Sequence, residues 1–263
     1  VAPGQTERSD GDVAARLELD YHPADGYMVY ASVNRGIKGG GFNAAAISAI
    51  PVSLVSYRPE VLTAYEVGFK SEFFNHRAQL NASTFYYDYH DYQAFTLTGL
   101  SPFAFNTSAN TKGAEVELHF LPAATLDVVI GFAYLDAIAH NVPLQFGVGP
   151  YLDQKPPQSP NVTADLSVRK GWSFANGSQL VAQVTANHVG ERFFNTINHP
   201  VLSDKPYTMG NLRLTYKAKG GHWEGALWVN NVTNTQYVDT AFDMSTTNGV
   251  VAQAYGPPRA AGL

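Results

Sequence analysis

Ten segments of alternating apolar and polar residues follow one another along this chain, joined in turn by very short and then by long connections. They are Val13 to His22, Tyr27 to Asn34, Ala64 to Phe73, Ala78 to Tyr92 and Ala114 to Leu121, then Leu126 to Asp136, Val162 to Arg169, Leu180 to Val189, Asn211 to Lys217 and Glu224 to Val232. Turn residues such as Pro23-Ala24-Asp25-Gly26, Asn75-His76 and Pro122-Ala123-Ala124 close the hairpins at one end. At the other end the connections are long: Gly36 to Glu60, a loop running to about Asn110, and a Pro- and Gln-rich loop as far as Pro160. A soluble meander has no reason to collect its long loops on one side, whereas a membrane barrel has short turns at one rim and long loops at the other. The pattern therefore predicts an all-β, antiparallel, up-and-down transmembrane β-barrel, with about ten or eleven strands in a single domain over residues 1–263.

Period-two alternation also sorts the side chains into two faces. In Val162 to Arg169 the even positions are apolar and the odd ones polar. The same phase puts Glu66, Lys70, Glu115, Glu117, His119, Asp165, Arg169 and Arg213 on the inner, lumen-facing side, against Tyr65, Val67, Phe69, Val116, Leu118 and Phe120 outside. Alternation alone is shared with a soluble β-sandwich, whose apolar faces would pack on one another about 10 Å apart. Strand length argues for the membrane: Ala78 to Tyr92 is far longer than the five or six residues of a typical globular strand. Tyr21, Tyr27, Phe73, Tyr86, Tyr87, Tyr89 and Tyr92 cluster near strand ends, where rings with a polar tip form the boundary girdles of a barrel.

A mean hydropathy of -0.15 and the lack of any long apolar run exclude a helical membrane span, while a barrel strand conceals its apolar half in alternation. With no cysteine there is no disulfide, thiolate metal site or cysteine nucleophile. A net charge of -5 argues against a phosphate-binding surface, so no nucleic-acid partner is expected. Val1-Ala2-Pro3 lacks the basic and apolar regions of a secretory leader. Either a leader has been removed or the sequence is a piece of a longer one.

Several strings carry a family resemblance. Tyr30-Ala31-Ser32-Val33-Asn34-Arg35-Gly36-Ile37-Lys38-Gly39-Gly40-Gly41-Phe42-Asn43 resembles a strand and loop start that recurs in the barrels of TonB-dependent outer-membrane receptors. Tyr57-Arg58-Pro59-Glu60 followed by Tyr65-Glu66-Val67-Gly68-Phe69-Lys70-Ser71, then Phe85 to Gln93, Lys112-Gly113-Ala114-Glu115-Val116-Glu117, and Val229-Asn230-Asn231-Val232-Thr233-Asn234 with Tyr237, are similar to later strands of that family, in the family's order. The resemblance implies the C-terminal portion of a larger barrel of about twenty-two strands, with the N-terminal plug and TonB box absent and the final closing strand truncated at Pro258 to Leu263. It implies a place in the bacterial outer membrane. The implied partners are outer-membrane lipid, the missing plug and barrel strands, TonB acting through the plug, and a small-molecule ligand such as a metal-siderophore. The implied function is active uptake of a scarce nutrient, a ferric siderophore first, with a vitamin or a carbohydrate as alternatives. Ten or eleven strands alone would leave two unpaired edges, costly in lipid and aggregation-prone in water, so such a fragment would oligomerise, close on itself or depend on the missing segments.

For a receptor of this kind the ligand-binding candidates lie in the extracellular loops: Arg35, Lys38, Gly40, Phe42, Phe193, Asn195 and Tyr237, with Phe194 and Phe242 as further stacking surfaces. Glycines at 39–41 permit close backbone approach. No cofactor and no metal site are expected; Glu117 and His119 share a face at i, i+2, while His90-Asp91 and His188 are scattered. No catalytic residue is expected either. Gly-x-Ser-x-Gly and His-Glu-x-x-His are absent, and the Ser167-x-x-Lys170 spacing puts its two groups on opposite sides of a strand. The alternative function is a serine esterase-like hydrolase activity of an independently folding fragment, which would need a Ser-His-carboxylate contact within hydrogen-bond reach.

Overall fold

The computed structural model describes residues 8–43, 55–98, 101–145, 148–244 and 249–263; part of the 36–60 connection and Val1-Ala2-Pro3 lie outside them. Eighteen strands are present among the described residues: β1 (Ala15–Ala24), β2 (Tyr27–Lys38), β3 (Gly41–Phe42), β4 (Ser56–Tyr57), β5 (Glu60–Phe73), β6 (Ala78–Thr98), β7 (Ser101–Ala123), β8 (Leu126–Gln145) and β9 (Val148–Gln154) come first. They are followed by β10 (Val162–Ser173), β11 (Gln179–Val189), β12 (Arg192–Phe193), β13 (Ser203–Asp204), β14 (Tyr207–Lys217), β15 (Glu224–Asn230), β16 (Val238–Met244), β17 (Val250–Tyr255) and β18 (Ala260–Gly262). One 12-stranded antiparallel sheet runs β1-β2-β5-β6-β7-β8-β10-β11-β14-β15-β18, with β9 folded back on β8. All ten alternating segments are strands of this sheet, in sequence order. Its two ends are open: β1 is exposed along its whole length, and β18 holds β15 through three residue pairs.

The short connections work as their residues require. Asp25-Gly26 closes the first hairpin with Gly26 at φ 78°, where an added Cβ would lie 2.9 Å from the carbonyl oxygen of Glu72. Phe74, Asn75 and His76 take three consecutive left-handed conformations between β5 and β6. Two of the longer connections differ from the sequence expectation. The stretch expected to be a loop as far as Asn110 is instead a continuation of β6 and β7, paired down to Thr98↔Ser101. Likewise β8 continues past Asp136 to Gln145, and the first part of the Pro- and Gln-rich loop is β9.

Alternation in these strands ends at two bulges. His90 and Asp91 together oppose the single residue Ser108, between the pairs Tyr89↔Ala109 and Tyr92↔Thr107. On the other side of β7, Ser108 pairs with His140, and His140 and Asn141 together oppose Asp153 of β9. Asp91 and Asn141 have φ of 55° and 52°, which Asp and Asn tolerate better than other side chains.

Among the described residues nothing packs on the apolar face of the sheet. Leu17, Val67, Ile130, Phe132, Val184 and Leu227 are between 42% and 74% exposed. Rather than the paired faces of a sandwich, this is a surface that lipid would cover. Tyr65, Tyr86, Lys112 and Asp136 stand in register across β5 to β8 at its upper edge, the last two as an ion pair at 3.2 Å. Trp172, Phe174 and the Tyr216–Trp223 pair, with ring centroids 5.2 Å apart, mark the short-turn edge.

Candidate ligand site

The opposite face of the sheet is a polar wall. Strand register sets Lys70, Asn81, Glu117, Gly131, Asp165 and Asn187 in one row across β5 to β11. The row below it includes His119 and Ser167, and the next holds Asp127, Arg169, Gln183 and Arg213. Glu66, one row above Gly68, accepts a hydrogen bond from the Tyr30 hydroxyl, and Lys70 Nζ sits 5.4 Å from the centre of the Tyr30 ring. All eight residues expected to face the lumen thus share one face, with His119 Nε2 2.9 Å from Asp127 Oδ1. Glu115, Glu117 and Asp165 have no ion-pair partner among the described residues and line a hollow of about 280 Å³.

Glycines make this wall close-packed. The Tyr30 ring lies on Gly68, the Phe85 ring on Gly113 and the Asp165 carboxylate on Gly131, in each case where a Cβ would collide. The Tyr-Glu-Val-Gly and Lys-Gly-Ala-Glu strings therefore have a packing role. Tyr57-Arg58-Pro59-Glu60 braces the β6 bulge. The Arg58 guanidinium donates to Asp91 Oδ1 at 2.5 Å, which raises its affinity for its proton, and Glu60 Oε2 accepts from the Gln93 amide at 2.7 Å.

Beyond the bulges the β6–β7 hairpin becomes a post on which the long connections dock. From the 39–59 connection, Asn43 uses its side-chain amide like a strand, donating to Ala104 O at 2.7 Å and accepting from Ala104 N at 2.8 Å. From the 190–206 connection, the buried Thr196 hydroxyl donates to Phe95 O, and Ile197 packs against Ala109, Ala139 and Val142. Ala109 and Ala139 belong to the same alternation as Glu115 and Ala133, so this connection lies over the upper part of the polar wall. Asn198 ties it to the 155–160 segment by accepting from the Lys155 amide and donating to its carbonyl, at 2.7 and 2.8 Å.

A second core holds the 190–206 and 231–259 connections together. Leu202, Val238 and Ala241 are buried there, with Phe194 and Val251 against them. Arg192 lies 3.5 Å from the buried Asp204, donates to Val238 O, and places its guanidinium 5.2 Å from the Phe194 ring and 5.9 Å from Tyr207. Tyr237 stacks on Tyr207 with ring centroids 4.9 Å apart.

Between this core and the post is a hollow of about 430 Å³. Tyr92, Phe95, Phe194 and Phe242 supply its rings, and Gln93, Gln158 and Asn195 its amides. Of the ligand-binding candidates named from sequence, Asn195 lines it, together with the stacking candidates Phe194 and Phe242. Phe193 is instead paired with Ser203, and Tyr237 is held in the stack with Tyr207. Arg35 is bound to Asp12 at 2.7 Å, Gly40 lies beside Arg8 and Tyr57, and Phe42 pairs with Ser56. Lys38 ends β2, and its carbonyl accepts from Gln93 Nε2. Tyr92, Phe95, Gln93 and Gln158 went unnoticed in sequence as site residues; no local spacing joins them, because the contact from Thr196 to Phe95 spans 101 residues.

Four of the eight histidines hydrogen-bond side chains other than serine. His119 faces Asp127, His140 lies between Asp153 and Asn110, His188 faces Thr208, and His76 contacts Glu72, and among the described residues no serine hydroxyl hydrogen-bonds a histidine.

A long-stranded antiparallel sheet with one bare apolar face, one polar wall and large connections gathered at one rim is the wall of an outer-membrane β-barrel. The family described as TonB dependent receptor-like, beta-barrel, matches residues 2–232, and the chain belongs to it. Among solved structures the chain is similar to the ferric yersiniabactin uptake receptor FyuA from Yersinia pestis, with 21% identity and a TM-score of 0.76 over 94% of this chain and 36% of that one. It is similar too to the siderophore receptor PiuA from Acinetobacter baumannii, at 16% identity and a TM-score of 0.72 over 94% of this chain and 34% of that one. A third likeness is to the ferripyoverdine receptor of the outer membrane of Pseudomonas aeruginosa, at 18% identity and a TM-score of 0.68 over 96% of this chain and 32% of that one. The chain therefore spans about a third of the length of these receptors. Members of the family are outer-membrane barrels of bacteria that act as receptors, which places the short turns at the periplasmic rim and the long connections outside.

Proposed function

We propose that this chain is the ligand-facing barrel wall of an active-transport receptor for a scarce nutrient, a ferric siderophore, with TonB supplying the energy through a plug that rests on the polar wall. The observation that carries this reading is the hollow of about 430 Å³, built by three separate connections and the β6–β7 post directly over the polar face. Its size is that of a small-molecule site, and its rings and amides suit a ligand with flat apolar surfaces and many carbonyl groups. Glu115, Glu117 and Asp165 would meet basic groups of the plug, since carboxylates closed off from water without a counter-charge are costly.

The test is uptake of radiolabelled iron chelates by iron-starved cells expressing the receptor, compared with cells lacking the receptor and cells lacking TonB. Uptake should need both. Accumulation that is unchanged when either is removed would overturn the reading.

A further inference from the structure

Resting on that receptor reading, we infer that the hollow between the β6–β7 post and the 190–206 and 231–259 connections takes an uncharged or singly cationic ferric chelate, of the trihydroxamate kind, and rejects a trianionic tris-catecholate.

The basis is the charge of the walls. Four rings and three amides line the hollow, and the acidic side chain among the described lining residues is Asp243. Among the described residues no lysine, arginine or histidine lines the hollow. Two arginines close by are paired with carboxylates, Arg58 with Asp91 at 2.5 Å and Arg192 with the buried Asp204, and Lys155 Nζ donates to the Asn161 side chain.

An anion entering such a space would shed water and gain no counter-charge, which is strongly unfavourable. Ring faces add to the discrimination because their quadrupoles attract cations and repel anions. In a ferric trihydroxamate the three oxygen pairs each carry one negative charge and together neutralise the metal, so the complex is neutral, or cationic where the chain bears an ammonium. Tris-catecholate carries six phenolate charges and remains a trianion. The rings and amides can stack on and hydrogen-bond the first; against the second they offer nothing that a cation would have supplied.

The test uses the receptor purified in detergent and titrated, by quenching of its intrinsic fluorescence, with ferric desferrioxamine B, ferrichrome and ferric enterobactin, which are a monocation, a neutral complex and a trianion. At least one trihydroxamate should bind about tenfold or more tightly than the trianion. Placing a cation on the wall by Thr240→Lys, or by Thr96→Lys on the post should the first variant fail to fold, should shift the preference toward the trianion by about tenfold. Equal or tighter binding of the trianion to the unmodified receptor overturns the charge-class inference and leaves the receptor reading standing. Failure of all three chelates to bind folded receptor overturns the receptor reading, and the inference with it.

Discussion

Replacing Ile130 by lysine separates a lipid-facing wall from a solvent-facing one. Ile130 is 42% exposed and lies in register between Leu118 on β7 and Leu166 on β10. It is four residues from Leu126 in one direction and four from Tyr134 in the other, or about 14 Å each way at roughly 3.4 Å per residue. With strands tilted by about 40°, that becomes about 10 Å of depth on either side, which puts Ile130 near the middle of an apolar band about 25 Å tall. A lysine at that depth costs about 2 to 4 kcal/mol, against about 0 to 1 kcal/mol at the boundary. Tyr134 is the matched control, since it is 46% exposed and lies on the same face of the same strand. On a water-facing sheet both substitutions would fall within about 0.5 kcal/mol of neutral. Denaturant unfolding of the receptor in phospholipid vesicles should therefore show Ile130→Lys destabilised by about 2 kcal/mol more than Tyr134→Lys. Equal midpoints for the two variants would refute the assignment of this face to lipid.

The connections give three further expectations. Leu202→Ala removes the largest buried side chain of the second core and should cost about 2 to 5 kcal/mol locally; the β16–β17 hairpin should become open to protease while hydrogen exchange in β5 to β8 is unchanged, and slow cleavage equal to that of the parent would count against a separate core. Asn43→Ala loses both bonds to Ala104 and should release the 39–43 segment from the post at a cost of about 1 to 3 kcal/mol, read as faster exchange of the Ala104 amide. Asp153 accepts from the Asn141 amide and contacts His140, whose hydrogen bond holds the Asp153 carboxyl below its ordinary value of 3.8. A lowered carboxylate value means that its contribution is complete above that ordinary value and lost as pH falls through the lowered one. The Asn141 amide shift should therefore follow an acid transition centred below the ordinary carboxylate value and lost in Asp153→Asn, and an acid transition centred at or above that value would contradict the assignment.

The wall was legible in sequence because two environments meet across it. Lipid and lumen demand opposite side chains at adjacent positions, so Val162 to Arg169 and Ala114 to Leu121 announce both strand and face. Legibility ended at the bulges. The alternating reading of β6 stops at Tyr92 because His90 and Asp91 insert an extra residue there and shift the phase of everything after it. Past Asp136, β8 enters a region where both sides touch protein and where Asn141 resets the phase again. The hollow was hidden for a different reason. Its rings come from β6, from 194 and from 242, and only the docking of Thr196 and Ile197 on a hairpin about a hundred residues earlier brings them together. A Phe at 95 and a Phe at 194 have nothing in their local sequence to distinguish them from girdle residues.

The bulges also divide the molecule into parts with different sources of cohesion. Below Ser108 the sheet buries few large side chains of its own, and its apolar face is bare, so its stability depends on lipid and on continuous strand pairing. Above that level, docking side chains such as Asn43, Thr196 and Asn198, with the core around Leu202, hold the connections by protein contacts alone. A change in the connections can therefore reshape the hollow without disturbing the register of the wall, whereas a change in the wall acts on the whole barrel. The bulge residues stand where these regimes meet: Asp91 and Asn141 are pinned by Arg58, Asn106 and Asp153, all outside the lipid band, so the bend that aims the post over the lumen is fixed by polar contacts that the membrane does not supply.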